Sequence, residues 1–356
     1  MKRINVGTQK RYDVLIESGL LEEAGSLILD VLPPCRLLII TDTTVGALYG
    51  KTLQENLSRS GYDVMLKALP PGESSKSLQA YGECQELLAS ENFTRTDGII
   101  ALGGGVPGDL AGFAAATYLR GIRFIQIPTT FLAAIDSSVG GKTGINLSHG
   151  KNLTGAFWQP SLVLCDPVTF RTLPEETFLD GVAEAIKYGI ILDKHLFSEI
   201  REKAPLNSGT GGLESIIATC VKIKAKVAAA DERDTGMRQL LNLGHTVGHA
   251  IEKCSNYAIS HGHAVATGIA IITRASRDFG YTTPEDQDRI LELLSLHGFS
   301  LHTPFQAEEL LPVILRDKKR GGSNINLILP TAIGDSEIRE FPVHSLEGFI
   351  KAGLGR

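Results

Sequence analysis

Segments with strand-like and helix-like patterns alternate along the first half of the chain. The apolar runs RYDVLIE, RLLIITD, GIIALGGG and RFIQIPTT have the pattern of strands, and helices are predicted over residues 20–29, 47–60, 78–90 and 109–118. Strands that alternate with helices form a parallel sheet, and such sheets bind ligands beyond the carboxyl ends of their strands. We therefore predict an α/β, Rossmann-like domain over residues 1–173.

The pattern changes after Pro174. Long segments with helical periodicity follow, among them EETFLDGVAEAIKYGIIL and LESIIATCVKIKAKVAAADE, and few strands lie between them. One hairpin-like piece, INLILPTAIGDSEIREF, lies near the C-terminus. Residues 174–356 are thus expected to form a second, mainly α-helical domain.

Composition and charge narrow the class of protein. The 356 residues carry a formal net charge of -5, so nucleic acid and anionic membranes are not expected as partners. The N-terminus lacks the apolar run of a signal peptide, and no segment reaches the length of a membrane span. The five cysteines are scattered without a CxxC pair, which fits a reducing compartment. These features predict a cytoplasmic enzyme.

Four of the nine histidines lie in the segment LNLGHTVGHAIEKCSNYAISHGHAV. In a helix, His245 and His249 share one face, while Gly244 and Gly248 allow the neighbouring backbone to approach closely. The spacing is that of the HExxH zinc motif, but Thr246 stands where that motif needs its glutamate. A metalloprotease is therefore disfavoured.

A third histidine of this segment, His261 or His263, strengthens the case for a metal. Two histidines and a carboxylate from elsewhere form a zinc site with open positions, the arrangement that catalytic zinc uses. The competing interpretation is that these histidines only pack in the core or lie on the surface.

A glycine loop follows the strand GIIALGGG. Gly103, Gly105 and Gly108 satisfy the GxGxxG pattern between a strand and a helix, where backbone amides can hold a pyrophosphate. The acidic residue expected about 20 residues later is missing, and Asp42, at the end of RLLIITD, is an alternative contact for a ribose. The loop could equally be a tight turn without a ligand.

A second glycine-rich segment, AAIDSSVGGKTGINLSHGKN, carries both acidic and basic groups. It is not the P-loop of an NTPase, because Asp136 stands at the position of the leading glycine. The segment presents Asp136, Lys142, Lys151 and Asn152, a combination suited to an anion beside a hydroxylated substrate. A solvated basic turn is the alternative.

Seven strings resemble those of the 3-dehydroquinate synthase family, in consistent order. They are GGGVPGDLAGFAAATYLRG, IPTTFLAAIDSSVGGKTGIN, GKNLTGAFWQP, GVAEAIKYG, DERDTGMRQLLNLGHTVGHAIE, HGHAVATG and RDKKRGG. The resemblance implies an NAD-binding first domain, a second domain that binds metal and substrate, and a homodimer. It also implies one divalent metal, zinc or cobalt, held by Glu184, His245 and His261, with His249 as a proton carrier.

The resemblance further assigns residues to each ligand. The residues implied for NAD are Asp42, Pro71, Gly72, Glu73, Ser74, Ser75, Lys76, Gly105, Val106, Pro107, Gly108, Asp109, Thr129, Thr130, Lys142, Lys151, Thr169, Phe170, Arg171 and Thr172. Those implied for the anionic substrate and its chemistry are Arg120, Asp136, Lys142, Asn152, Lys187, Lys224, Arg238, Asn242 and Lys318, with Asp136 on a hydroxyl.

The activity implied is the conversion of 3-deoxy-D-arabino-heptulosonate 7-phosphate to 3-dehydroquinate and phosphate, a step of the shikimate pathway to aromatic amino acids. NAD oxidises the substrate transiently, phosphate is eliminated, the ketone is reduced again, and an intramolecular aldol step closes the ring. Two alternatives are a sister cyclase such as 2-deoxy-scyllo-inosose synthase and a metal-dependent polyol dehydrogenase. The first would not need to pair a substrate carboxylate, and the second would release NADH.

Two positions depart from the family pattern. Pro107 stands where a small aliphatic residue is usual, and His263 replaces the glutamate of HGEAV. His263 therefore competes with His261 for the metal.

Overall fold

The computed structural model describes residues 1–234, 236–318 and 323–355, except for the side chains of residues 317 and 318. The chain divides into two compact units. Unit 1 comprises Met1–Leu173 and Gly212–Arg233, and unit 2 comprises Pro174–Gly211 and Asp234–Arg356.

The described residues form strands, α-helices and short helical turns. The strands are β1 (Lys2–Val6), β2 (Tyr12–Ile16), β3 (Arg36–Asp42), β4 (Asp63–Leu69), β5 (Gly98–Gly103), β6 (Arg123–Pro128), β7 (Lys142–Leu147), β8 (Gly150–Phe157), β9 (Leu162–Cys165), β10 (Asn324–Ala332) and β11 (Asp335–Pro342). The α-helices are α1 (Leu20–Leu29), α2 (Thr43–Val45), α3 (Lys51–Arg59), α4 (Leu78–Ser90), α5 (Gly105–Thr117), α6 (Glu175–Leu192), α7 (Lys194–Glu202), α8 (Leu213–Ala230), α9 (His245–Cys254), α10 (His261–Asp278), α11 (Pro284–Leu296), α12 (Ala307–Lys318) and α13 (Val343–Leu354). Short 3-10 turns span Glu73–Ser75, Tyr118–Arg120, Pro167–Thr172 and Met237–Asn242, and π-helical turns span Gly46–Gly50 and Ala133–Ser137.

Unit 1 is built on a seven-stranded sheet in the order β1-β2-β9-β6-β5-β3-β4. Only β1 and β2 pair antiparallel, and the remaining pairs are parallel. Every residue of β5 is buried, as expected for a central strand that helices cover on both faces. The predicted α/β fold is confirmed, and β3, β5 and β6 direct their carboxyl ends to one edge of the sheet.

The predicted helices of unit 1 agree with the structure at α1 and α4. The helix predicted over residues 109–118 begins earlier, so the glycine loop itself forms the first turn of α5. The second glycine-rich segment is not a plain loop. Its first part is the π-helical turn Ala133–Ser137, and its second part is the antiparallel hairpin of β7 and β8.

Unit 2 consists of α6, α7, α9 to α13 and the antiparallel hairpin of β10 and β11, so the expected helical character of this part is confirmed. The structure departs from the predicted boundary at α8, which belongs to unit 1. There Ser18 Oγ donates a hydrogen bond to Glu214 Oε1 at 2.8 Å. An amphipathic pattern indicates that a helix has a buried face, but it does not indicate which sheet or helix covers that face.

No helix of the described residues is both long and apolar enough to cross a membrane.

Candidate metal and nucleotide sites

Three helices of unit 2 bring Glu184, His245 and His261 together. Glu184 lies in the middle of α6, His245 is the first residue of α9, and His261 is the first residue of α10. Oε1 of Glu184 lies 3.4 Å from Nε2 of His245 and 3.8 Å from Nε2 of His261. One ligand atom of each residue lies within 4.8 Å of the other two. This is a His2Glu donor set of the kind that holds a divalent metal.

The other ring nitrogen of each histidine is held by an oxygen of the protein. Nδ1 of His245 lies 3.2 Å from the carbonyl oxygen of Leu243, and Nδ1 of His261 lies 3.2 Å from Oε2 of Glu252. A ring nitrogen that faces such an acceptor carries the proton, which leaves the lone pair on Nε2. Both Nε2 atoms are therefore oriented toward Glu184 as metal ligands are, with their hydrogen-bonding partners behind them.

The two imidazoles differ in charge preference. Burial, together with the charge of Lys187, lowers the pKa of His245 well below its ordinary value, so this ring is neutral. Burial acts in the same direction on His261, but the hydrogen bond to Glu252 and the charge of Glu184 outweigh it and raise its pKa. The two imidazoles therefore differ in their affinity for a proton, with which a metal would compete for Nε2.

Glu184 is fully buried, and Lys187 beside it on α6 is almost as completely buried. Lys187 Nζ forms an ion pair with Oε2 of Glu184. Within the part of the chain that the structure describes, neither Glu184 oxygen has a hydrogen-bond partner. Lys187 pairs with Oε2, whereas Oε1, which the two Nε2 atoms face, has no donor among the described residues, and a metal bound there would offset the cost of its burial.

His249 lies next to this group on the exposed side. Its ring centroid is 5.4 Å from that of His245 and 5.9 Å from that of His261. With Glu252 and His261 it also forms a second group of metal-compatible spacing. That group uses the same Glu252 carboxylate that holds His261 Nδ1, so the Glu184 group is the better candidate for a metal site.

His263 takes no part in either group. Its Nδ1 lies 2.8 Å from Ser260 Oγ and 3.5 Å from Oδ1 of Asp180, and its ring packs edge-on against Phe299. Consecutive side chains of a helix point about 100° apart, so His263 and His261 diverge although only one residue separates them.

Glycines allow the three helices to approach closely, as predicted for Gly244 and Gly248. A Cβ at Gly248 would lie 3.1 Å from the carbonyl oxygen of Ala264, and one at Gly268 would collide with the backbone of Gly244. At the start of α10, a Cβ on Gly262 would collide with the backbone of Asp180. Gly248, Gly262 and Gly268 therefore allow the backbones of α6, α9 and α10 to lie close enough for the ligands to meet.

The glycine loop of unit 1 joins two strand ends. Gly103 has a φ of 150°, and its carbonyl oxygen accepts a hydrogen bond from Thr129 N at 2.9 Å. Among the described residues, Oγ1 of Thr129 is buried without a hydrogen-bond partner. Gly105 begins α5, so the helix N-terminus and this hydroxyl form a cradle that fits a pyrophosphate. Asp42, at the end of β3, accepts hydrogen bonds at Oδ1 from Thr44 N and Val45 N and so caps α2.

Two ion pairs link other predicted residues of unit 1. Lys76 Nζ donates to Oδ2 of Asp109, and Lys224 Nζ donates to Oδ1 of Asp136. Burial raises the pKa of Asp109, against the opposing effect of Lys76. The first pair joins the PGESSK turn to α5, and the second joins α8 to the π-helical turn. Each ion pair thus joins two segments that are far apart in the sequence and whose contact the sequence pattern did not predict.

The remaining predicted residues occupy different environments. Arg120 has a φ of 68° on an exposed turn, and Lys142, Lys151 and Asn152 are exposed on the β7–β8 hairpin. The other residues predicted for NAD lie in four segments of unit 1. They are Pro71, Gly72, Glu73, Ser74 and Ser75 before α4, Val106, Pro107 and Gly108 in α5, Thr130 after β6, and Thr169, Phe170, Arg171 and Thr172 after β9. The side chain of Lys318 lies outside the described residues.

Arg238 and Asn242 do not share a face. Both lie in the 3-10 turn Met237–Asn242, where Arg238 is 2% exposed and Asn242 is exposed. A 3-10 turn has three residues per turn, so residues four apart point in different directions. In an α-helix, residues with this spacing of four would share a face, and the sequence pattern of MRQLLN predicts such a helix. That prediction is wrong, because the α-helix begins only at His245.

Sequence reasoning missed Glu252, Asp180 and Tyr49. Tyr49 OH donates to the carbonyl oxygen of Thr169 at 3.0 Å and lies 2.6 Å from Thr172 Oγ1, so it holds one of the turns predicted for NAD. Glu252 lies seven residues after His245, two turns along the same helix, and that spacing could have identified it.

Comparison with known proteins identifies the family. A model described as 3-dehydroquinate synthase N-terminal matches residues 66–180, and one described as 3-dehydroquinate synthase C-terminal matches residues 181–320. The chain belongs to the 3-dehydroquinate synthase family. The 3-dehydroquinate synthase of Streptococcus suis strain 05ZYH33 is 40% identical over 343 residues, which cover 96% of this chain and 97% of that protein. The predicted family and function are confirmed.

Solved structures of related cyclases share the fold. A 2-deoxy-scyllo-inosose synthase complexed with carbaglucose-6-phosphate, NAD+ and Co2+ matches with a TM-score of 0.89 and 25% identity, over 99% of this chain and 100% of that one. A 2-epi-5-epi-valiolone synthase from Streptomyces hygroscopicus with NAD+ and Zn2+ bound matches with a TM-score of 0.88 and 27% identity, over 96% of this chain and 95% of that one. The lower identities favour 3-dehydroquinate synthase over the sister-cyclase alternative.

Proposed function

We propose that the chain converts 3-deoxy-D-arabino-heptulosonate 7-phosphate to 3-dehydroquinate and phosphate, as a phosphate-eliminating lyase that uses NAD and one divalent metal. The observation that carries the proposal is the buried Glu184 carboxylate, faced by the Nε2 atoms of His245 and His261. Three protein ligands leave positions open for substrate oxygens.

We propose zinc or cobalt as this metal. When bound, it would act as a Lewis acid that lowers the pKa of a substrate hydroxyl. Glu184 would neutralise part of its charge, and the hydrogen bonds at Nδ1 of His245 and His261 would keep both rings oriented toward it. His249, exposed beside these rings, would take and return the proton of the reacting hydroxyl.

For unit 1 we propose NAD as the ligand, where it would accept and return one hydride. The α5 N-terminus with Gly105 to Asp109 would bind the pyrophosphate, and Thr129 Oγ1, which has no hydrogen-bond partner among the described residues, would donate to it. The further NAD contacts that we propose are Asp42, the turn Pro71 to Lys76, Thr130, Lys142, Lys151 and the turn Thr169 to Thr172.

The chain's cations would bind the two anionic groups of the substrate. In unit 1 these are Arg120, Lys142 and Lys224, with Asn152 as a hydrogen-bond donor and Asp136 on a hydroxyl. In unit 2 they are Lys187, Arg238 and Lys318, with Asn242. Buried cations such as Lys187 and Arg238 bind an anion with little competition from water, so they would fix the orientation of the substrate.

Phosphate release tests the proposal. The purified protein with the heptulosonate phosphate and NAD should release phosphate in the same amount as it forms 3-dehydroquinate, without net NADH. Removal of metal by a chelator should stop the reaction, and added Zn2+ or Co2+ should restore it. Accumulation of NADH with a polyol would instead indicate a dehydrogenase, and turnover of a sugar phosphate without a carboxylate would indicate the sister cyclase.

We also propose that the enzyme is a cytoplasmic homodimer. The family resemblance supports the dimer, and the scattered, odd number of cysteines supports a reducing compartment. Sedimentation of the purified chain tests the dimer directly.

A further inference from the structure

One carboxylate of unit 2, Asp180, lies outside the metal group but contacts the helix that carries one of its ligands. Asp180 Oδ1 accepts hydrogen bonds from Ser260 Oγ at 2.6 Å and from Gly262 N at 2.8 Å. Gly262 N is one of the first amides of α10, which have no acceptor within their own helix. Asp180 therefore caps α10 from another helix, in the role that a side chain just before the helix usually fills.

His263 completes the same cluster. Its Nδ1 lies 3.5 Å from the Asp180 carboxylate and 2.8 Å from Ser260 Oγ. The first turn of α10 is thus bound to Asp180 at three points, Ser260, Gly262 and His263. His261, the ligand, lies in the middle of that turn.

Asp180 and Glu184 are four residues apart on α6, so they lie one turn apart on the same face. Asp180 contacts Gly262 N, while Glu184 faces His261 Nε2. Because a Cβ at Gly262 would collide with the Asp180 backbone, the two helices touch at this point and leave little freedom in their spacing. The distance from Glu184 to His261 is therefore set by the contact of Asp180 with α10.

We infer that Asp180, with Ser260 and His263, is a positioning residue that holds His261 at ligand distance from Glu184. This inference rests on the proposed metal site, although it concerns residues that contact neither metal nor substrate. It also gives His263 a function as part of the clamp, where the family pattern has a glutamate. A glutamate at 263 would place a second carboxylate against Asp180, so in this chain the two positions depend on each other.

The test measures Co2+ binding to the metal-stripped full-length protein, both by calorimetry and by the absorption spectrum of the bound Co2+. The Asp180→Ala variant should bind Co2+ about tenfold to hundredfold more weakly, with an altered spectrum, because loss of orienting partners has effects of that size. His263→Glu should also weaken binding, and Asp180→Asn should restore part of the loss in the double variant, because it removes the like charge.

Asp193→Ala is the matched control. Asp193 also caps a helix of unit 2, since its Oδ1 accepts from His195 N at 2.9 Å and Leu196 N at 3.0 Å, but it lies more than two turns from Glu184. Asp193→Ala should lower the melting temperature about as much as Asp180→Ala does, but it should leave the Co2+ affinity within about twofold of wild type. Gly262→Ala, which pushes α10 away from α6, should weaken Co2+ binding as Asp180→Ala does.

Each outcome has a distinct meaning. Wild-type Co2+ affinity and spectrum in Asp180→Ala, with melting lowered as in Asp193→Ala, would reduce the cluster to a helix cap and overturn the inference. If Asp180→Ala does not fold, Asp180→Asn alone and Gly262→Ala supply the same comparison. If the wild-type protein binds no Co2+, or binds it undiminished after His261→Ala, the proposed metal site itself fails.

Discussion

Nε2 of His245 lies 3.4 Å from Oε1 of Glu184, although the two atoms belong to different helices. Two ligand atoms at tetrahedral positions around one zinc ion are about 3.3–3.5 Å apart, as follows from Zn–N and Zn–O bonds of about 2.0–2.2 Å. The observed spacing therefore suits two ligands of a shared ion. His261, at 3.8 Å from the same oxygen, needs to move only slightly.

The first prediction concerns the choice of histidine. His261→Ala should lose bound metal and activity together, because it removes one of three ligands. His263→Ala should retain a stoichiometric ion at saturating metal, since its ring contacts Asp180 and Phe299 and not Glu184. Metal content by atomic emission measures both. Full metal in His261→Ala and its loss in His263→Ala would show that the wrong imidazole was assigned.

The second prediction separates two residues proposed for NAD. Lys151 is exposed, so Lys151→Ala should weaken NAD binding at unchanged stability. Asp109→Ala removes the partner of the buried Lys76, and it should weaken NAD binding and also cost about 1–3 kcal/mol of stability. NAD titration and urea unfolding of both variants measure the two effects. Unchanged NAD dependence in both would exclude the loop from the site.

The fold could be predicted from the sequence where local pattern decides it. The bounds of α1 and α4 follow from periodicity, and the parallel sheet follows from the alternation of strands and helices. The membership of α8 in unit 1 could not be predicted, because it depends on contacts such as Ser18 with Glu214, far apart in sequence. The 3-10 turn at Arg238 could not be predicted either, because the composition of MRQLLN is also typical of an α-helix.

The metal group was predictable only in part. The spacing of His245 and the later histidines indicates a metal, but Glu184 came from family resemblance, because one carboxylate within an apolar helix is not distinctive. The local pattern did not separate His261 from His263, and only the family resemblance favoured His261. Their different directions on the first turn of α10, and the presence of Asp180 on α6, separate them in the structure.

The third prediction concerns Arg238. A guanidinium that pairs with a carboxylate contributes about 1.5–3 kcal/mol, and lysine lacks its two-pronged geometry. Arg238→Lys should therefore lower kcat/KM about tenfold to hundredfold, with metal content and NAD affinity unchanged. Because Arg238 is buried, the melting temperature is measured in parallel to separate loss of packing from loss of binding. A substrate analogue without the carboxylate should be insensitive, and equal turnover of the natural substrate would refute the assignment.

The fourth prediction is a pH effect on stability. Burial lowers the pKa of His297, whose Nδ1 donates to the carbonyl oxygen of Leu293. The unfolded chain therefore takes up this proton first, and the free energy of unfolding should fall as the pH drops below about 6.5, by at most about 1.4 kcal/mol per pH unit. Urea unfolding between about pH 7.5 and 5.5 should show a shallower dependence in His297→Gln. The exposed His195, changed to Gln, is the control and should leave the slope as in wild type.

The return of residues 212–233 to unit 1 has a consequence for synthesis of the protein. Helix α8 contacts β1 and β2, and the bonds from Ser18 to Glu214 and from Gln9 to Glu232 join residues 196 and 223 positions apart. At about 5–20 residues per second, a ribosome needs about 10–40 s to make that length of chain. During this interval the faces of the first two strands that α8 will cover are open to water, and a chaperone bound near the tunnel exit has access to them.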